Sequence, residues 1–262
     1  MTPALGDAAR EVERKSLRGV LTACALLAAW LVWVPATLFF ARPAKAWAPL
    51  ALVSAFLYTG LFITGHDALH GTVAPGHPRL NRALGTLALW LFAAFDLRRL
   101  EADHSAHHRA PASAADPDFH PAGHESYLRW LFAFGLRYLT VRQILLLALF
   151  AQIPLHLLQL PLASVLLFWV APPLLATVQL FTFGTYLPHR ARDFADQHRA
   201  ESSSYPVWLS FLSCYHFGYH HEHHAQPHLA WWQLPKARSA RSSHSKSSQT
   251  APAPFRSSDS TK

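Results

Sequence analysis

The chain alternates long apolar runs with short, histidine-bearing polar stretches. Val20 to Ala41 reads VLTACALLAAWLVWVPATLFFA, enough to cross ~30 Å of hydrocarbon as a helix. Pro35 inside it is tolerated, since membrane helices accept proline. A short RPAK linker leads into a second run, Ala46 to Gly65, which ends directly in HDALH. Ala83 to Phe95 is apolar but reaches only ~20 Å as a helix, so it predicts a re-entrant or interfacial piece. Ser126 to Leu139 mixes aromatic residues with Arg129 and Arg137, the pattern of a helix lying in the interface. Ile144 to Leu160 and Ala163 to Tyr186 predict a hairpin of two further spans, turning at PLAS.

The expected fold is therefore an all-α membrane protein. Four transmembrane helices form two hairpins, with interfacial helices and a cytoplasmic histidine-box cap. Residues 1–238 form one integral-membrane domain. Residues 239–262, rich in Ser, Ala and Arg, are expected to be a disordered tail whose removal from residue 240 leaves activity largely intact. No short apolar core with a small-residue cleavage site precedes the first span, so no removable signal peptide is expected.

Composition sharpens this. The chain is 51% hydrophobic and only 15% charged, against about a quarter charged in soluble domains. Its formal charge of +8 then bears on orientation rather than on nucleic acid. Apart from Arg42 and Lys45, nearly all Lys and Arg fall in the N-terminus, the middle loop and the C-terminal part, which places both termini and that loop in the cytoplasm. Cys24 and Cys214 are the only cysteines, and neither context suggests a structural disulfide.

The 18 histidines are clustered. CYHFGYHHEHH, Cys214 to His224, holds five of them in eleven residues. His66 and His70 form HxxxH, which on a helix puts two imidazoles on one face. His104, His107 and His108 form HxxHH, as do His220, His223 and His224. In such a box the first residue shares a face with both later ones, so each box can serve two neighbouring metals. His189 follows the last apolar run. If Ala83–Phe95 does not cross, all of these lie on one membrane face. Nine imidazoles exceed the four that a single structural zinc needs, and suit two metals with open positions. Imidazole suits zinc, iron, copper and nickel alike, so spacing does not choose the metal.

Around the boxes, Asp67, Asp103, Asp116, Asp118 and Glu222 are candidates to receive the outer imidazole N–H, with Asp118 preferred. His216 is a further candidate, four residues before His220. Asp193 and Asp196 are candidates near His189. His221 should point aside, and His156 lies in the outer half of its span. Trp90, Trp130, Phe181 and Trp231 either line a tunnel or belong to the interface belt and helix packing.

The three boxes, their order and their attachment to four spans resemble the membrane fatty-acid desaturase/hydroxylase superfamily. Within it, HDALHG, LNRALG, HSAHHRAP, DPDF, FGTYLPHR, CYHFGYHHEHH and LAWWQLP are similar to the bacterial β-carotene ketolases, over roughly Thr59 to Pro235. The resemblance implies two iron ions (Fe2+) held by His66, His70, His104, His107, His108, His189, His220, His223 and His224, with O2 as co-substrate. It implies that the C4 methylene of a carotenoid β-ionone ring becomes a ketone by two hydroxylations and loss of water. β-Carotene would give echinenone and canthaxanthin, and hydroxylated rings would lead on to astaxanthin. The sequence carries no GxGxxG-type flavin or nicotinamide fingerprint, so the electrons are expected from a separate donor, a ferredoxin or a reductase. The carotenoid would enter from the lipids of a bacterial inner membrane. A carotenoid ring hydroxylase or an acyl-lipid desaturase shares the boxes and stays open at this point. A non-enzymatic metal-binding or transport protein is disfavoured, because the span interiors are nearly free of charge.

Overall fold

The computed structural model describes residues 3–40, 47–120, 126–191 and 193–249. Arg42, Lys45, His124 and residues 250–262 lie outside the described residues. The described chain is helical, and its strand pairing is one isolated bridge between Ser202 and Tyr219.

Helix α1 runs Pro3–Phe40 with Pro35 inside it, and α2 runs Trp47–Leu69. Helix α3 (Pro78–Ala93) is followed by α4 (Leu97–Arg109), and α5 (Tyr127–Tyr138) by α6 (Val141–Gln152). Helix α6 continues into a π turn at Ile153–Leu157. Helix α7 (Leu162–His189) contains two π turns, Leu166–Val170 and Phe181–Tyr186. Helices α8 (Val207–Cys214), α9 (His220–Ala225) and α10 (Leu234–Gln249) complete the chain.

Three helices are long and apolar enough to cross a membrane: Arg10–Phe40, Trp47–Leu69 and Leu162–His189. They match the first, second and fourth expected spans. The third expected span, Ile144–Leu160, falls mainly in Val141–Leu157, which meets the length test only together with α5, from which it bends by 84°. Helices α3 and α4 likewise are long enough only together, and they meet at 96°. The count is thus three spans, or up to five if each bent pair is one.

Both bends are written locally. Helix α3 ends at Ala94 in the left-handed region (φ 54°), and Asp96 caps α4 by accepting from the backbone N–H groups of Arg98 and Arg99 at 2.8 and 3.1 Å. Helix α5 ends at Leu139, and Thr140 with Gln143 forms a capping box on α6. The apolar stretch Ala83–Phe95 therefore stops and turns, as its length predicts.

Helix α2 is the most buried of the three long apolar helices. It packs on α1, α3 and α7. Gly85 of α3 allows close approach, since a Cβ there would lie 2.3 Å from the Cβ of Ala68. Large apolar side chains point outward from α1 (Leu31, Val32), α6 (Leu145, Leu149) and α7 (Leu166, Leu174). So much exposed apolar surface on long helices fits a lipid-facing wall.

The C-terminal part departs from expectation. Helix α10 runs through residue 239 to Gln249, so the expected domain boundary falls inside a helix. Arg241 on that helix reaches back to Glu222 of the third histidine box.

Candidate metal centre

Each box is delivered by a helix end. His66 closes α2, and His70 follows on its terminal turn. The loop beyond is fixed by Asn81, which accepts from the N–H groups of Val73 and Ala74 and donates to the Ala68 carbonyl at 2.8 Å. The second box rides on α4, His189 ends α7, and the third box forms α9. A reversal through two consecutive left-handed residues, Tyr215 (φ 47°) and His216 (φ 62°), links α8 to the approach of α9. The Tyr215 hydroxyl ties that reversal to the Phe56 carbonyl at 3.1 Å.

The nine histidines meet in two adjoining sets. Ligand nitrogens of His66, His70, His104 and His223 all lie within 4.8 Å of one another, and so do those of His107, His189, His220 and His224. His108 Nε2 lies 3.0 Å from His104 Nε2 and 2.9 Å from His223 Nε2, which joins it to the first set. Its ring stacks on His224 of the second, with centroids 4.2 Å apart. Each HxxHH box divides between the sets: in α4, His104 and His108 face one and His107 the other. In α9, His223 faces one and His220 with His224 the other.

Outer partners fix the tautomers. His107 Nδ1 donates to Asp116, with both carboxylate oxygens at 2.9 Å, and His189 Nδ1 donates to the Arg199 carbonyl at 2.8 Å. Their Nε2 atoms are then lone pairs turned inward. His107 Nε2 lies 3.1 Å from His224 Nε2, while His189 Nε2 and His66 Nε2 are buried without a partner. Converging, unsatisfied nitrogens of this kind fit a pair of cations, because a buried polar atom otherwise needs a hydrogen bond. Burial holds His220, His223 and His224 well below the usual imidazole range and pushes His70 down to about 4, leaving them neutral and able to ligate.

The carboxylates sort differently from expectation. Asp116, not the preferred Asp118, receives the His107 N–H, and it also accepts from the N–H of Ala112 at 2.8 Å and of Asp118 at 2.8 Å. Asp118 stands one step out, 3.8 Å from His107 Nδ1, and accepts from the Tyr138 hydroxyl. The turn around Pro117 decides this: it aims the earlier carboxylate inward. Asp67 lies 3.7 Å from His66 Nδ1 and accepts from the N–H of Trp231 at 3.1 Å. Glu222 is 1% exposed and is gripped from outside by the Ser202 hydroxyl and by Arg241 Nε at 2.6 Å. Asp103 faces Arg137, and Asp196 pairs with His221 at 2.7 Å, so His221 does point aside. His216 does not join the nitrogens; its ring packs on Tyr219 and Trp231. His156 is exposed on the π turn after α6.

A cavity of about 310 Å³ opens from the histidines. His66, His104, His107 and His220 form its inner end, and Leu147, Ala151 and Leu174 lie on its apolar walls. Its aromatic wall is Phe62, Phe92, Phe95, Phe134 and Trp169. Trp130 and Phe181 instead pack on each other and on Tyr186, and Trp90 packs on Phe150.

The chain belongs to the fatty acid desaturase family, whose family model matches residues 45–152 and 136–248. It is 45% identical to a β-carotene ketolase of Paracoccus sp. (strain PC1) over 221 residues, 82% of this chain and 89% of that relative. A second β-carotene ketolase, from Paracoccus sp. (strain N81106 / MBIC 01143), is 42% identical over 81% of this chain and 89% of its own length. A zeaxanthin 4-ketolase of Chlamydomonas reinhardtii is 40% identical over 86% of this chain and 54% of its own length.

Proposed function

We propose that this chain is a carotenoid 4-ketolase, a membrane oxygenase that converts the C4 methylene of a β-ionone ring to a ketone. The observation that carries the reading is the cavity: an apolar, partly aromatic chamber whose inner end is made of metal-grade histidines. It suits a hydrocarbon ring, and the 40–45% identity to ketolases narrows the ring to a carotenoid's.

His66, His70, His104, His108 and His223 would hold one iron, and His107, His189, His220 and His224 the other. The two irons would supply activation of O2 for attack on the C4–H bond. The protein does the rest. Phe62, Phe92 and Phe95 offer the ring an apolar bed, and exclusion of water protects the reaction. Asp116 and the Arg199 carbonyl hold His107 and His189 in the tautomer that presents Nε2. C4 is allylic, so its hydrogens are among the most readily removed on the ring. Each round consumes O2, two electrons and two protons. The first leaves an alcohol, and the second a geminal diol that loses water to the ketone. The electrons come from a separate donor of the ferredoxin or reductase class.

The topology belongs to the same proposal. Four spans, with α3–α4 re-entrant, put all three boxes, His189 and both termini on the cytoplasmic face of a bacterial inner membrane, where the carotenoid enters from the lipid.

Metal analysis of the protein purified in detergent and loaded with ferrous iron tests the centre. Two irons per chain are expected, falling to one or none in His107→Ala. Saturation at one ion, or a preference for zinc with no O2 consumption, would contradict it.

A further inference from the structure

One hydroxyl beside the histidines is left unused by the fold. Other threonines on these helices return their hydroxyl to a carbonyl of the preceding turn: Thr37, Thr59 and Thr64 do so in α1 and α2. Thr177 and Thr182 do so in α7. Thr185 is 6% exposed, yet its hydroxyl makes no hydrogen bond among the described residues. It lies in the π turn Phe181–Tyr186, a distortion that often marks a functional site.

Thr185 lines the cavity together with His107 and His220. The other hydroxyls on that wall are taken: Thr177 donates to the Pro173 carbonyl and Tyr138 to Asp118. Next to Thr185, Gly184 lets the Phe217 ring lie against the helix, since a Cβ at Gly184 would come within 2.2 Å of it. The Phe217 ring in turn lies 4.7 Å from that of His66 and 5.1 Å from that of His220 between centroids, so the unpaired hydroxyl stands on the stretch of wall next to the histidines. A hydroxyl that lines a cavity and has no partner within the fold is free to bond a group that enters the cavity.

A hydrocarbon ring supplies none, but a half-oxidised ring does. In the first round one C4–H becomes C4–OH, one oxygen of O2 leaves as water, and an external reductant and solvent provide two electrons and two protons. The ring now carries a hydroxyl and one remaining C4–H. That hydrogen must face the metals again before the ring leaves.

We propose that Thr185 holds the C4 hydroxyl of this intermediate through a hydrogen bond, and so favours ketone over released alcohol. It is a positioning residue acting on the substrate, and the inference rests on the ketolase reading.

The test compares wild type with Thr185→Val and Thr185→Ser in a bacterial host that makes β-carotene. Thr185→Val keeps the shape and removes the hydroxyl. The ratio of 4-hydroxy to 4-keto rings should rise about tenfold, the weight of one hydrogen bond of the stronger kind, and Thr185→Ser should return it toward wild type. A second readout needs no turnover. Metal-free protein in detergent should bind a carotenoid with a C4 hydroxyl about tenfold more tightly than Thr185→Val does, measured by quenching of tryptophan fluorescence. β-Carotene itself should bind both equally. An unchanged ratio with unchanged binding, or all products falling in proportion, would overturn the inference. If wild type formed no C4-oxygenated pigment at all, the ketolase reading would fall and this inference with it.

Discussion

The centre hangs on single hydrogen bonds to imidazole N–H groups. His107 is fixed by Asp116, so Asp116→Asn should loosen it and cost about 10–100-fold in iron affinity, read by competition with a chelator. Asp118→Asn, one step further out, should cost less, and the reverse order would contradict the assignment. Burial also sets a pH dependence. The fold keeps His220, His223, His224 and His70 neutral well below the ordinary imidazole value, and His70 takes its proton only near pH 4. The unfolded chain takes those protons near pH ~6.5. Below that value the unfolded state binds protons that the fold refuses, so stability falls as pH drops through about 6.5 toward 4. The thermal midpoint of metal-free protein should decline as pH falls from about 6.5 to 5, and a flat or rising midpoint there would contradict this. The convergence of the box histidines was legible because i, i+3 and i+4 spacing on a helix is fixed geometry. Asp116 was not, because choosing between it and Asp118 depends on how the turn at Pro117 faces. The Arg199 carbonyl that orients His189 was also beyond reach, since backbone groups leave no mark in the sequence.

At the scale of elements, the apolar runs named the helices well and their ends less well. Length alone indicated that the helix over Ala83–Phe95 is too short to cross unaided, and the caps at Asp96 and Thr140 carry out the turns. The C-terminal helix was hidden by composition. LPKARSARSSHSKSSQ has no apolar stripe, and what holds it to the site is polar: Arg241 on the buried Glu222, with Arg238 4.0 Å away. Arg241→Ala leaves the buried Glu222 carboxylate with only the Ser202 hydroxyl and the more distant Arg238, which should weaken the hold on the third box. Truncation after Gln249 should leave iron content and activity unchanged. Truncation after Ser239, which also removes Arg241, should lower both. Equal behaviour of the two truncations would show that α10 has no hold on the third box.

The molecule as a whole is a helical bundle with much apolar surface that gathers its nine clustered histidines at helix ends. That arrangement follows from cost, since polar groups in hydrocarbon are expensive and a metal site at the membrane face avoids much of it. It requires the middle loop and α10 to share one side. Cysteines at Ala115 and Ser239, both exposed, should react with a membrane-impermeant thiol reagent in inverted vesicles and be protected in intact cells. Opposite labelling of the two would break the topology. The most direct test of the central claim is the pigment profile of a β-carotene-producing bacterium expressing this chain with an electron donor, resolved by chromatography and mass. The account predicts 4-keto carotenoids with wild type and unaltered β-carotene with His107→Ala. Well-expressed wild-type protein that left β-carotene untouched, or oxygenated it only at C3, would contradict it.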